Sequence, residues 1–249
     1  MKEPVLRVEG LHKAFGGVQA VEDVSFAVAA GELLALIGPN GAGKSTCFNM
    51  LNGQLAPDSG VVRLDGRDIV GLGPRAVWRL GVGRTFQITE TFASLPVREN
   101  VQMALYSHAG KLRRLLVRFG TMLTAEADAL LEQVGMLDQA QRPCGVLAYG
   151  DLKRVELAMA LANSPRLLLM DEPTAGMAPR ERVALMELAA GLARAQRIAV
   201  LFTEHDMDVV FGQADRIIVL DRGRLIAGDR PDEVRGNADV RAVYLGGMH

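Results

Sequence analysis

Leu33-Leu-Ala-Leu-Ile-Gly-Pro-Asn-Gly-Ala-Gly-Lys-Ser-Thr46 decides the fold. Its first five residues are an unbroken apolar run set between Gly31-Glu32 and Gly38. That is how a strand reads when both faces of a parallel sheet are covered. The next eight, Gly38 to Ser45, fit the phosphate-loop pattern G-x-x-x-x-G-K-[ST], with Gly38, Gly43, Lys44 and Ser45 at the fixed positions. Residues 44–51 then read as a helix. Glycines let the backbone curl so that successive N–H groups face phosphate oxygens. The helix N-terminus adds the positive end of its dipole. In such a loop the Lys44 ammonium reaches the β- and γ-phosphates, and the Ser45 hydroxyl ligates Mg²⁺.

The chain around this loop has 249 residues, enough for one large domain, and 49% of them are hydrophobic. Its formal net charge is −1, without the basic surplus of a general nucleic-acid binder. Lys2, Glu3, Arg7 and Glu9 interrupt any apolar leader, and no uncharged apolar run approaches the roughly 18 residues of a membrane span. Cys47 and Cys144 lack metal-ligand spacing, so free thiols are expected. Cys47 follows the loop directly; a small buried packing residue is the favoured reading, and a reactive thiol the other.

Upstream, Val5–Glu9 and Gln19–Val28 alternate as half-exposed strands, with Phe15-Gly-Gly17 between them. Phe15 either stacks on a purine or packs on the sheet, and spacing alone favours packing. Downstream, Gly60–Leu64 reads as a strand, Pro74–Trp78 as a short helix, and Val82–Gln87 as a strand ending in a glutamine. Helical patterns then dominate: Val97–Tyr106, Lys111–Met122, Ala125–Val134 and Leu152–Ala162. We read 88–160 as a helical insertion, flanked by core segments 1–87 and 161–249. Within it, residues 111–118 carry four positive charges, best read as a solvated helix face, with a membrane-facing or partner-facing role as the alternative.

Arg166-Leu-Leu-Leu-Met-Asp-Glu172 is a buried strand ending in two carboxylates. At the carboxyl end of a parallel strand they face the ligand crevice. One can bind Mg²⁺ through water, and the other can act as general base on an attacking water. Pro173 stops the strand, and Pro179 opens a helix through Arg194. Arg197–Thr203 is another buried strand, followed by Glu204, His205 and Asp206, which places His205 at the same edge. Asp215–Leu220 and Arg224–Ala227 form a last strand pair, and the tail from Pro231 reads as helical, then loose. The alternation gives a doubly wound α/β fold: a P-loop (RecA-like) core with N-terminal antiparallel strands and an inserted α-helical subdomain.

These landmarks resemble, across essentially the whole chain, the nucleotide-binding subunit of an ABC transporter. Gly38–Thr46 matches its Walker A motif, Gln87 the Q-loop glutamine and Leu147–Asp151 the signature. Leu168–Glu172 matches Walker B, Ala175–Pro179 the D-loop, and His205 the switch histidine. The resemblance implies an ATPase. Its ATP is held by Phe15 at the adenine and by Gly38, Pro39, Asn40, Gly41, Ala42, Gly43, Lys44, Ser45 and Thr46 at the phosphates. Tyr149 and Gly150 hold a partner's nucleotide. Glu172 is implied as general base, with His205, Gln87 and Lys44 completing the catalytic set. Ser45, Gln87 and Asp171 serve Mg²⁺ and its waters. Gln87 also couples the site to the helical subdomain, which touches transmembrane permease subunits. The implied place is peripheral, on the cytoplasmic face of the inner membrane.

Arg84-Thr-Phe-Gln87, Pro96–Asn100, Leu147–Asp151, Thr203–Met207 and Tyr244-Leu-Gly246 are similar to the ATPases of branched-chain amino acid importers, in particular the larger of their two ATPase subunits. A solute-binding protein is implied as an indirect partner. The alternatives are a lipopolysaccharide-export type ATPase and a non-transport cassette ATPase. One departure stands out. Ala148 occupies the position of the family's γ-phosphate-binding Ser. A hydrogen bond to a charged acceptor contributes about 1.5–3 kcal/mol. A homodimer lacks it in both sites, and a heterodimer in one, so a second, Ser-bearing cassette subunit is expected.

Overall fold

The computed structural model describes residues 4–85, 91–109 and 123–245. Two sheets organise it. The first is antiparallel. Strands β1 (Leu6–Phe15) and β2 (Val18–Val28) form a hairpin through Gly16-Gly17. Both glycines have positive φ, 53° and 88°, as tight two-residue hairpin turns require. Strand β4 (Ser59–Leu64) pairs with the other edge of β1, and the short β5 (Arg67–Asp68) follows. β1 runs six residues past the end expected at Glu9. Its pairing with β2 shifts register between Val8 and Leu11, around Gly10 (φ 56°), and this bulge breaks the alternation.

The second sheet carries the site. Its parallel strands are β3 (Leu33–Ile37), β6 (Val82–Thr85), β7 (Leu167–Asp171), β8 (Ala199–Thr203) and β9 (Arg216–Asp221). They pair in parallel in the order β9-β3-β8-β7-β6, with β10 (Arg224–Asp229) antiparallel at the β9 edge. Every residue of β3 and β8 is buried. Alternate residues feed two different cores. Leu34, Leu36, Leu169 and Leu201 face the antiparallel sheet and helix α1 (Lys44–Leu51), whose Phe48 is fully buried. Leu33, Ala35, Ile37, Met170 and Phe202 face the helices that follow β6 in the chain. Each large apolar side chain so buried contributes about 1.5–3 kcal/mol, which is why these strands read as unbroken apolar runs.

After α2 (Pro74–Arg79) come α3 (Val97–His108), α4 (Thr124–Gln133) and α5 (Tyr149–Leu161), which pack on one another. Their buried residues Val97, Val101, Leu131 and Val155 belong to the same cluster as Ile37 and Phe202, so the helical region shares the core of the sheet. α5 starts three residues before the expected Leu152, because Ala148 already turns the chain into the helix with φ −64° and ψ 153°. Helix α6 (Pro179–Gln196) follows β7, and α7 (Met207–Gln213) follows β8. The tail, expected to loosen after one helix, forms α8 (Pro231–Gly236) and α9 (Ala238–Leu245). The expected helix 111–122 with its basic run, residues 86–87 of the expected strand Val82–Gln87, and Gly246 lie outside the described residues.

Candidate functional site

The β3–α1 loop closes on itself. Lys44 Nζ donates to the carbonyl oxygens of Gly38, at 2.7 Å, and Pro39, at 3.0 Å. The glycines are required by contact. A Cβ on Gly38 would lie 2.1 Å from the Leu220 carbonyl oxygen, and one on Gly43 would lie 2.3 Å from that of Ala20. Gly43, with φ 105°, is the residue before α1. The N–H groups of Lys44, Ser45 and Thr46 therefore open the helix with no partner inside it. Ala42 is buried, and its carbonyl accepts from Gly223 N at 3.0 Å, so the β9–β10 turn braces the loop from behind. Asn40, Gly41 and Ser45 are exposed, and Pro39 and Thr46 half-buried. Burial pulls the Lys44 ammonium pKa down, and the nearby Glu172 and Asp171 carboxylates oppose that.

A cleft of about 210 Å³ lies over this loop, lined among others by Ala20, Gly43, Ser45, Glu172 and His205. The last two come from neighbouring strands. β7 and β8 are in register with Asp171 opposite Thr203, so the residues that follow each strand emerge side by side. His205 Nε2 and Glu172 Oε1 are 2.8 Å apart. Glu172 holds φ 47°, an unusual value for a non-glycine residue. It is fixed there by its N–H, which donates to the Thr203 carbonyl at 3.1 Å and to Thr203 Oγ1 at 3.0 Å. Thr203 Oγ1 donates in turn to Asp171 Oδ1 at 2.8 Å. Glu204, 5% exposed, points the other way and accepts from Thr174 N and Thr174 Oγ1 at 2.8 and 2.7 Å. It ties the loop after β7 to the end of β8. The Arg182 guanidinium, 2.7 Å from Asp206, holds that carboxyl below its ordinary range. Asp206 also caps α7 through Asp208 N and Val209 N.

The donors suit a hard cation. Among the described residues no group of three or more His, Cys, Asp or Glu could cage a metal alone. Mg²⁺ does not ask for one, since it keeps waters and takes one or two protein oxygens beside phosphate. The Ser45 hydroxyl and the oriented Asp171 carboxylate are such oxygens.

Of the expected site residues that are described, Phe15, Gly38, Pro39, Tyr149, Gly150 and Asp171 do not line this cleft. Phe15 ends β1 with its ring 50% exposed and Lys13 Nζ 5.5 Å from its centroid, so the packing alternative does not hold. Tyr149 is exposed and Gly150 buried in the first turn of α5, directly after Ala148. Gln87 lies outside the described residues. Cys47 is fully buried, and burial pushes its thiol up to about 12, so the reactive-thiol alternative fails. Sequence reasoning missed the roles of Thr203 and Arg84, which both reach Asp171. The position of Thr203, at the end of the strand that leads into His205, was the available signal.

Residues 21–175 match the family described as ABC transporter, and residues 224–249 match the family described as branched-chain amino acid ATP-binding cassette transporter. Over 99% of both chains, the protein is 40% identical to the high-affinity branched-chain amino acid transport ATP-binding protein LivG of Salmonella typhimurium. With the same coverage it is 39% identical to LivG of Escherichia coli, and 38% identical to BraF, a protein of the same description from Pseudomonas aeruginosa. Among solved structures it superposes on a nucleotide-free ATP-binding cassette of an ABC transporter with a TM-score of 0.87. The two are 30% identical, over 97% of this chain and 99% of that one. An ADP-bound cassette gives the same TM-score and identity over 98% and 100% of the two chains.

Proposed function

The chain belongs to the ATP-binding subunits of ABC transporters, and from that premise we propose that it is the ATP-hydrolysing motor of an importer for branched-chain or related amino acids. The observation that carries the cargo reading is the match of the C-terminal residues 224–249, beyond the residues 21–175 that match the general ABC transporter family, to the branched-chain cassette family. Full-length similarity to LivG and BraF supports it.

The chain's own residues divide the work. The loop from Gly38 to Thr46 cradles the phosphates of ATP, with the Lys44 ammonium held over it by its own carbonyls. Phe15, exposed at the end of β1, offers a face to the adenine. Ser45 and Asp171, with Gln87, would hold Mg²⁺, and the ion when bound would supply charge neutralisation at the phosphates. Glu172 takes the proton of the attacking water, and His205, at 2.8 Å from it, orients that carboxylate and faces the γ-phosphate. Thr203 holds Asp171 in place and restrains the backbone of Glu172.

The signature serves a second subunit. Ala148 brings no hydroxyl to the N-terminus of α5, and the N–H groups of Tyr149 and Gly150 supply the phosphate contacts there. A partner cassette bearing Ser makes good that loss in one of the two sites, so a heterodimer is the assembly we propose. Residues 88–160 act as the helical subdomain that moves against the core. A mostly apolar cleft between α2, α3 and α5, lined among others by Trp78, Ala104 and Met159, is where we place the transmembrane permease subunits, to which an external solute-binding protein delivers cargo. No described helix is long and apolar enough to cross a membrane. By analogy with the LivG relatives, we place the subunit peripherally, on the cytoplasmic face of the inner membrane.

The test is reconstitution in liposomes with branched-chain permease subunits, a second, Ser-bearing cassette and a leucine-binding protein. ATP-driven leucine uptake that stops with Glu172→Gln is the expected result. ATP hydrolysis unresponsive to a leucine-loaded binding protein would overturn the cargo reading.

A further inference from the structure

Arg84 touches two places at once. It lies on β6, opposite Leu169 of β7, with its side chain 13% exposed. Its Nη1 donates to Asn49 Oδ1 on α1 at 3.1 Å and to Gln54 Oε1, in the turn after α1, at 3.0 Å. Its Nη2 reaches Asp171 Oδ2 at 3.4 Å, the long end of the hydrogen-bond range. The other Asp171 oxygen accepts from Thr203 Oγ1. Arg84 also lines, with Gln54, Trp78, Ala104 and Met159, a mostly apolar cleft of about 320 Å³ that is distinct from the cleft over the phosphate loop.

A cation beside a metal-holding carboxylate competes with the metal for it. A guanidinium does not lose its proton in a protein, so only movement relieves that competition. Asn49 and Gln54 pull the fork one way, and Asp171 pulls it the other. We propose that Arg84 is a positioning residue that sets how available Asp171 Oδ2 is to Mg²⁺, with Asn49 and Gln54 drawing its guanidinium back. The proposal rests on the reading of Asp171 as the metal-holding carboxylate.

The two sides of the balance predict shifts of opposite sign. In full-length protein carrying Glu172→Gln and loaded with ATP, Mn²⁺ affinity is measured by electron paramagnetic resonance. Arg84→Met keeps the apolar stem and removes the competitor, so Mn²⁺ binds more tightly, by about tenfold, the size of one charge-assisted bond. Gln54→Ala removes one restraint, lets the guanidinium settle on Asp171, and weakens Mn²⁺ by about threefold, the size of a neutral bond. A structural role alone moves both variants the same way. Shifts in one direction, or none, overturn the proposal. If Arg84→Met fails to fold, Gln54→Ala decides, and unchanged or tighter Mn²⁺ there overturns it. Asp171→Asn separates the two levels. Loss of Mn²⁺ with Asp171→Asn and no change in the other variants refutes Arg84 alone. Unchanged Mn²⁺ with Asp171→Asn refutes the metal reading and the inference with it.

Discussion

Gly43→Ala and Gly41→Ala form a matched pair in one loop. Both glycines have positive φ, 105° and 80°. An L side chain in that region costs roughly 1–2 kcal/mol. They differ in what a methyl group would meet. At Gly41 nothing lies within 4 Å, whereas at Gly43 the Ala20 carbonyl oxygen is at 2.3 Å and Leu220 Cδ2 at 3.1 Å. The first of these is backbone of β2, which cannot rotate away, so β2 and the loop must separate. Overpacking of this kind adds about 1–3 kcal/mol. Gly41→Ala should therefore cost about 1–2 kcal/mol and Gly43→Ala about 2–5. For a chain of this size each kcal/mol moves Tm by roughly 2–4 °C, which predicts a drop of about 2–8 °C for the first and 4–20 °C for the second. Thermal melts with and without ATP read both terms. ATP at a hundred times its Kd adds about 2.7 kcal/mol to a protein that still binds it. That gain should persist in Gly41→Ala and shrink in Gly43→Ala, whose α1 N-terminus is displaced. Equal losses in the two variants would refute the argument that contact with β2, and not φ alone, demands glycine at position 43.

Three further outcomes follow from single side chains. Thr203→Val keeps shape and removes the hydroxyl that donates to Asp171; it should cost about 1–3 kcal/mol in urea melts and lower ATP turnover, and unchanged turnover would deny Thr203 its orienting role. Ala148→Ser should cap α5 and raise stability by about 0.5–2 kcal/mol, because Ala148 already has extended N-cap geometry; no gain would mean the hydroxyl finds no N–H. Cys47 gives a pH signature. Burial raises its thiol pKa from 9.0 to about 12, so the unfolded chain loses that proton first as pH rises. Its contribution is whole below pH 9 and should fall by about 1.4 kcal/mol per pH unit toward pH 12, a loss absent from Cys47→Ala. Parallel stability curves for the two proteins from pH 9 to 10.5 would contradict the burial argument.

The parts of this fold legible in the sequence are those set by local pattern. Leu33–Ile37 and Ile198–Phe202 are apolar on both faces because both faces are covered, and that shows as an unbroken run, whereas the expected first strand residue, Arg197, is the exposed cap of α6. Pro179 marks the start of α6 because proline fits the first helical turn. The phosphate loop declares itself because glycine contacts and a lysine tether must occur at fixed spacing. What the sequence hides is register. Arg84, Asp171 and Thr203 meet because β6, β7 and β8 align with particular offsets, and no local pattern encodes an offset between strands 87 and 32 residues apart along the chain. The continuation of β1 was hidden for a related reason: the bulge near Gly10 breaks the alternation that announces a strand. Phe15 was ambiguous because an aromatic at a strand end has the same spacing whether it packs or stands free, and only its 50% exposure separates the two.

The proposed assembly is an ATP sandwich closed with a second, Ser-bearing cassette. Glu172→Gln removes the proposed base and keeps the binding loop, so it should trap the closed state. Size exclusion with light scattering, with and without ATP–Mg²⁺, alone and mixed with the second cassette, tests the claim most directly. The account predicts a mixed dimer that forms only with nucleotide. A protein that binds ATP yet stays monomeric in every mixture, or that forms a stable homodimer and ignores the second cassette, would contradict it.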